Sequence, residues 1–267
     1  MKNTFLLLAI IVIGITSGFA QKKNKSYKPE TIVLVHGAWS DASAWNAVTP
    51  LLKAQGHEVI VVNLTGHGTD NTSFAAINLQ TYVDNVKTAI GTKTNIILVG
   101  HSMAGVVISE VAEQIPSQIK ELVYLAAYLP NTGDSLLSLS TKDTATHLGK
   151  NLIIDQEHGR GIIKKEFVID VFVADAPKNI ADYVVANFKT DEPLAPFVDK
   201  IILTEAKFGS VKKAYIFTTE DHAVSYPYQQ EMVRNSKVVK TYTLTTSHTP
   251  FLSAPTKLAT IILKETK

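Results

Sequence analysis

Six short runs of aliphatic and β-branched residues, alternating with stretches of helical spacing, constrain this chain more than any other feature. Thr31–Val35, Glu58–Asn63, Asn95–Val99, Glu121–Ala126, Ala214–Thr218 and Val238–Leu244 carry their apolar residues at nearly consecutive positions in all but the last case. Consecutive apolar positions mark strands buried on both faces, and their alternation with helices predicts an α/β fold with a mostly parallel sheet. Trp45–Gln55 before Gly56, Leu79–Ile90 before Gly91, Val106–Ile115, Tyr226–Arg234 and Pro255–Lys264 supply the helices. In such sheets ligands bind beyond the carboxyl ends of the strands.

The alternation stops between about residues 130 and 208. There the polar turns Asn131-Thr132-Gly133-Asp134 and Glu157-His158-Gly159-Arg160-Gly161 separate helix-like pieces without clear strands, which predicts an inserted, mainly helical cap. At the other end, Lys2 precedes an apolar run from Phe5 to Ile15, and small residues at Gly18 and Ala20 suit cleavage before Gln21. The expected organisation is a signal peptide over 1–20, a polar lead-in over 21–30 and one domain over 31–267. Export to the periplasm or medium follows from that reading, and an uncleaved membrane anchor is the alternative.

With 267 residues, 45% hydrophobic, 19% charged and a net charge of +2, the chain has the composition of an ordinary globular domain. The only basic cluster is Lys22-Lys23-Asn24-Lys25, so nothing suggests a nucleic-acid surface. No stable membrane association is expected once the signal is removed, and homodimerisation is left open. Cysteine is absent, which excludes disulfides, a lipid-bearing cysteine and thiolate metal sites.

Chemistry concentrates where strands end. Gly100-His101-Ser102-Met103-Ala104-Gly105 follows the third run and opens a helix, close to the G-x-S-x-G elbow that lifts a serine hydroxyl above a sheet. The second glycine of that pattern is displaced from Ala104 to Gly105. A serine hydroxyl needs a histidine to take its proton and a carboxylate to orient the histidine. Asp221 follows the fifth run and His248 the sixth, which gives the order Ser, Asp, His. Taken singly, Ser102 fits a turn, Asp221 fits a helix cap and His248 fits an ordinary buried or surface histidine. Glu220 and Asp134 are rival acids. Backbone N–H groups of Met103 and Ala38 are the expected oxyanion donors, with Gly37 allowing a sharp turn. His36 reads as a loop-holding residue, His101 as structural or pocket-lining, and His67 as a loop residue.

The chain also resembles a known family. Val33–Trp39, Gly100–Met103, Phe208–Ile216 running into Thr219–Asp221, Ser247–Phe251 and Pro255–Leu258 resemble the plant methylesterase and hydroxynitrile lyase family and its bacterial esterase relatives, within the α/β-hydrolase superfamily. That resemblance covers most of residues 31–264 and is weakest in the cap. It implies a serine hydrolase with Ser102, Asp221 and His248 as triad, Ala38 and Met103 as oxyanion donors, and no metal or organic cofactor.

The lyases of this family carry threonine in the oxyanion loop and lysine after the histidine, where this chain has Ala38 and Thr249. A carboxylesterase acting on small, largely apolar esters is therefore expected, with a lyase or transferase, or a slow-turnover binding protein, as alternatives. Trp39, Tyr128 and Leu129 are the expected substrate-binding residues, with Trp45, Phe172, Phe188 and Phe197 as further pocket candidates, ordinary core packing being the alternative for each. Ala104 departs from the family's glycine, and its methyl is expected to crowd the elbow.

Overall fold

The computed structural model describes residues 29–267; the expected signal peptide and most of the polar lead-in lie outside the described residues. Along the chain, β1 (Thr31–Val35), α1 (Thr49–Lys53), β2 (Glu58–Val62), α2 (Leu79–Ile90), β3 (Ile96–His101), α3 (Ala104–Gln114) and β4 (Ile119–Leu125) alternate. The inserted cap holds α4 (Leu136–Ser140), β5 (Leu152–Asp155), β6 (Arg160–Ile163), α5 (Val168–Phe172), α6 (Lys178–Asn187), β7 (Asp191–Pro193) and α7 (Ala195–Val198). Then β8 (Lys212–Thr218), α8 (Tyr226–Arg234), β9 (Lys240–Leu244), α9 (Pro250–Ser253) and α10 (Pro255–Ile262) complete the domain.

The main sheet has the order β2-β1-β3-β4-β8-β9, and every pairing in it is parallel. Side chains of a strand alternate between faces. Val33, Val35, Ile96, Leu98, Leu122, Tyr124 and Tyr215 accordingly pack on one face with α2, α3 and α8. Ile32, Leu34, Ile97, Val99, Val123, Ala214 and Ile216 pack on the other with α1, α9 and α10. Both faces are covered, which is why the strands read as continuous apolar runs.

Two expectations are corrected. The helix expected over Trp45–Gln55 is a 3-10 turn, Ala42–Trp45, followed by the short α1. Pro50, within the first two positions of α1, has no N–H to donate backwards, so the helix starts there. The cap, read as lacking strands, contains a three-stranded antiparallel sheet, β5-β6-β7, whose β5–β6 turn includes Gly159 at φ +62°. Its strands are short and partly exposed, so they leave no long apolar run.

Candidate active site

Three loops at the carboxyl ends of β1, β8 and β9 meet the β3–α3 turn. Ser102 sits in that turn at φ +55°, a left-handed conformation that costs a non-glycine residue roughly 1–3 kcal/mol and persists only where its surroundings enforce it. The enforcement is visible. Ser102 N–H donates to Leu125 O at 3.2 Å, while its carbonyl accepts from Tyr128 N–H at 3.1 Å and Gly105 N–H at 3.0 Å. Gly37 backs against it, for a Cβ there would lie 2.8 Å from Ser102 Cβ.

The glycines of the elbow have distinct tasks. A Cβ on Gly100 would lie 2.8 Å from Ala104 O, and one on Gly105 would lie 2.1 Å from Tyr128 O. The close approach of α3 to the segment after β4 therefore falls on Gly105. Ala104 is fully buried among the apolar side chains of the core.

His248 and Asp221 are joined by a hydrogen bond of 2.8 Å from His248 Nδ1–H to Asp221 Oδ2, both residues buried. Donation from Nδ1 leaves Nε2 with its lone pair. Asp221 is held as firmly as the histidine: Oδ1 accepts from Ala223 and Val224 N–H at 2.8 and 2.9 Å, and Oδ2 accepts also from Thr218 Oγ1 at 2.8 Å and Gln229 Nε2 at 3.2 Å. The helix cap that Asp221 was a candidate for is supplied by Ser225. The rival acids are elsewhere, since Asp134 pairs with Lys142 at 3.1 Å and Glu220 is exposed.

His101 donates Nε2–H to His248 O at 2.9 Å, so its ring steadies the backbone of the histidine loop. Burial first, and the adjacent His248 second, push its pKa well below the ordinary value. Ser102 Oγ makes no hydrogen bond to His248 in this structure; contacts of this kind commonly tighten only when substrate binds. Ser102 lines the larger cavity and His248 a smaller depression, and Ala38 and Trp39 line both.

The loop after β1 is organised around two histidines. His36 Nε2 accepts from Leu64 N–H at 3.1 Å and Nδ1–H donates to Gly37 O at 2.8 Å, which defines a neutral ring. Burial, together with nearby His67, pushes its pKa down to about 3. Trp39, at φ +53°, is gripped from the cap: its N–H donates to Glu192 Oε2 at 2.7 Å and its indole Nε1–H to Gly161 O at 3.2 Å.

Glu192 is fully buried and also takes His67 Nε2–H at 3.0 Å and the Tyr82 hydroxyl at 3.4 Å. His67 Nδ1 faces Thr65 O at 3.1 Å, so both its nitrogens meet acceptors. Burial alone would lower its pKa, but the Glu192 charge and these hydrogen bonds raise it overall. Sequence reasoning missed this pair, because nothing local to Glu192 or His67 reveals the other. The N–H groups of Ala38 and Met103 have no hydrogen-bond partner among the described residues.

The cavity in front of Ser102 has a volume of about 770 Å³. Trp39, Met103, Tyr128, Leu136, Leu148 and Phe197 are among its lining residues, and the cap supplies most of the wall. Leu129, expected here, is not part of it; it is buried, with its N–H directed to Met232 Sδ at 3.3 Å. Trp45 likewise packs in the opposite core layer, 5.3 Å from the Phe251 ring. Phe172 and Phe188 line the depression beside His248.

A family model described as "Alpha/beta hydrolase family" matches residues 32–261. The chain is 31% identical over 248 residues to a chloroplastic protein named as a methylesterase in Arabidopsis thaliana, methylesterase 11, covering 87% of this chain and 63% of that one. It is 27% identical over 249 residues to the pyrethroid hydrolase of Sphingobium wenxiniae, covering 86% of this chain and 85% of that one. Among solved structures, polyneuridine aldehyde esterase superposes with a TM-score of 0.80 at 21% identity, over 90% of this chain and 100% of that one. That last likeness concerns the fold alone.

Proposed function

The chain belongs to the α/β-hydrolase family, and from that premise we propose that it is a carboxylesterase acting on small, largely apolar esters through an acyl-enzyme on Ser102. The observation that carries this reading is the buried Asp221–His248 hydrogen bond, together with a serine held at positive φ in the β3–α3 turn. Relatives named for methylesterase and pyrethroid hydrolase activity support the reaction class. Ester hydrolysis here needs no group beyond the chain and water.

In this mechanism Ser102 Oγ attacks the ester carbonyl carbon while His248 Nε2 takes its proton, and Asp221 stabilises the imidazolium that forms. The carbonyl oxygen gains negative charge and accepts hydrogen bonds donated by the N–H groups of Ala38 and Met103; each such donor contributes about 100 to 1000-fold in rate. Collapse of the tetrahedral intermediate expels the alcohol, which leaves with the proton from His248. Water then attacks the acyl-enzyme with His248 as base, releasing the acid and restoring Ser102. The cavity walls suit an apolar acyl or alcohol group, with Leu136, Leu148 and Phe197 as contacts.

The lyase alternative lacks its functional groups. Position 38 offers no hydroxyl, and the Thr249 hydroxyl is committed to Phe172 O at 2.7 Å. A panel of p-nitrophenyl and methyl esters of increasing acyl length, run with wild type and Ser102→Ala, tests the proposal. Hydrolysis and fluorophosphonate labelling should occur in wild type and be lost in the variant. Absence of both from wild type, or undiminished hydrolysis by Ser102→Ala, refutes it.

A further inference from the structure

On the outer side of the Asp221 loop, three residues far apart in sequence converge. His147 Nδ1 lies 2.8 Å from Asp170 Oδ2, and His222 Nδ1 lies 3.0 Å from Asp170 Oδ1. The two imidazoles face each other with ring centroids 4.3 Å apart, and one ligating atom from each of the three residues falls within 4.8 Å of the others. None of the three lines the cavity in front of Ser102.

We propose that His147, Asp170 and His222 form a binding site for a borderline divalent cation of the Zn²⁺ type, separate from the reacting atoms. Two imidazoles and one carboxylate are a donor set suited to Zn²⁺, and sulfur is not required. With metal–ligand bonds of roughly 2.0–2.1 Å, tetrahedral ligand atoms sit ~3.3 Å apart. The two N–O contacts run to different oxygens of Asp170, so binding through one oxygen requires a small turn of the carboxylate or of one imidazole, and separations of up to 4.8 Å among the three ligand atoms close toward that spacing.

Coordination through Nδ1 needs its lone pair, so each imidazole moves its proton to Nε2 and stays neutral. The side chains of His147, Asp170 and His222 are 40, 44 and 38% exposed, which leaves a hydrated ion an entry path and water a fourth coordination position. Mg²⁺ and Ca²⁺ prefer shells of oxygen and are poorly matched.

Such an ion would tie together three segments that flank the Asp221–His248 pair. His147 belongs to the cap and is already stitched to the acid loop, its N–H donating to His222 O at 2.8 Å while Thr146 Oγ1 donates to Ala223 O at 2.7 Å. Asp170 lies on α5, whose Phe172 carbonyl receives the Thr249 hydroxyl next to His248. His222 directly follows Asp221. The role assigned to the site is therefore to fasten the cap to the loops that carry the acid and the base.

The test uses tag-free, metal-stripped protein. Titration calorimetry with ZnCl₂ should give one saturable site, and at about a hundredfold excess over Kd the Tm should rise by roughly 5–10 °C. Mg²⁺ should do neither. His147→Ala and Asp170→Asn should each weaken Zn²⁺ binding at least tenfold, whereas His158→Ala, in an exposed pair with Asp155, should leave it unchanged. Co²⁺ should give the visible absorption of a tetrahedral site in wild type and lose it in His147→Ala; circular dichroism of the metal-free variants establishes that they fold. No saturable Zn²⁺ binding, or equal binding by wild type and both site variants, overturns the proposal.

Discussion

The sheet and the cap place polar groups around the cleft in different ways. At the sheet, each group stands at the end of its own strand: Ser102 after β3, Asp221 after β8 and His248 after β9. Asp221 is oriented largely by its own loop and by α8, accepting from Ala223 and Val224 N–H and from Gln229, while Ser102 is braced by Leu125 and Tyr128 and the His248 backbone by His101. In the cap, Glu192 is fully buried by Trp39, His67 and Tyr82, all more than a hundred residues away in the chain. Local placement separates chemistry from stability, whereas long-range placement binds them together. Substitution of Asp221 should then act mainly on rate, and substitutions in the cap network on both.

The sharpest separation is expected at Asp221. Asp221→Asn should lower kcat for ester hydrolysis on the order of 10⁴-fold, because the imidazole loses its partner for the cationic state and its imposed tautomer. A loss below tenfold would remove Asp221 from the acid role.

Next in size is Glu192→Ala, which strands His67 and the Trp39 N–H in the interior and should destabilise the protein by about 3–5 kcal/mol in urea unfolding. It should also slow hydrolysis by loosening the loop that bears Ala38. Glu192→Gln keeps an acceptor for Trp39 and should recover most of the rate. A Glu192→Ala protein as stable as wild type would break the distinction between the two regions.

The same pair carries a pH signature. His67 has its folded pKa raised above the ordinary 6.5, so its contribution to stability is fully present below pH 6.5 and is lost as the pH rises through the higher folded value. Thermal unfolding of wild type should show this decline above pH 6.5, and Glu192→Gln should flatten it.

The smallest effects concern the elbow itself. Gly105→Ala should cost about 1–3 kcal/mol, since its Cβ meets the Tyr128 carbonyl. Ala104→Gly should cost no more than about 1 kcal/mol, the usual penalty for glycine in a helix, with turnover little changed. Equal penalties at the two positions would contradict the assignment of the close approach to Gly105.

The contrast also explains what could be read from the chain. Strands such as β1 and β3 are covered on both faces, and α2 carries its own boundaries in Asn78, whose side chain accepts from Thr81 N–H, and Gly91. The positions of Ser102, Asp221 and His248 followed from strand ends in the same way. Pro50 is a local signal that divides an otherwise regular helical pattern. Leu129 was misplaced because neighbouring residues after a strand diverge, Tyr128 towards the cavity and Leu129 into the core. Glu192 with His67, and His147 with Asp170 and His222, lie beyond any local pattern: each residue is an ordinary polar side chain until the cap folds back onto the loops.

The grip on Trp39 limits how the cap can be exchanged. Its N–H and indole are received by Glu192 on β7 and Gly161 on β6, so the insertion that shapes the cavity wall also sets the backbone beside Ala38. A chimera that borrows another cap to alter substrate preference would discard that anchorage along with the old walls. Under the proposed function, selectivity and rate are therefore not separable modules: a transplanted cap must bring its own acceptor for the Trp39 N–H, or the graft will alter both the cavity wall and the loop that bears Ala38.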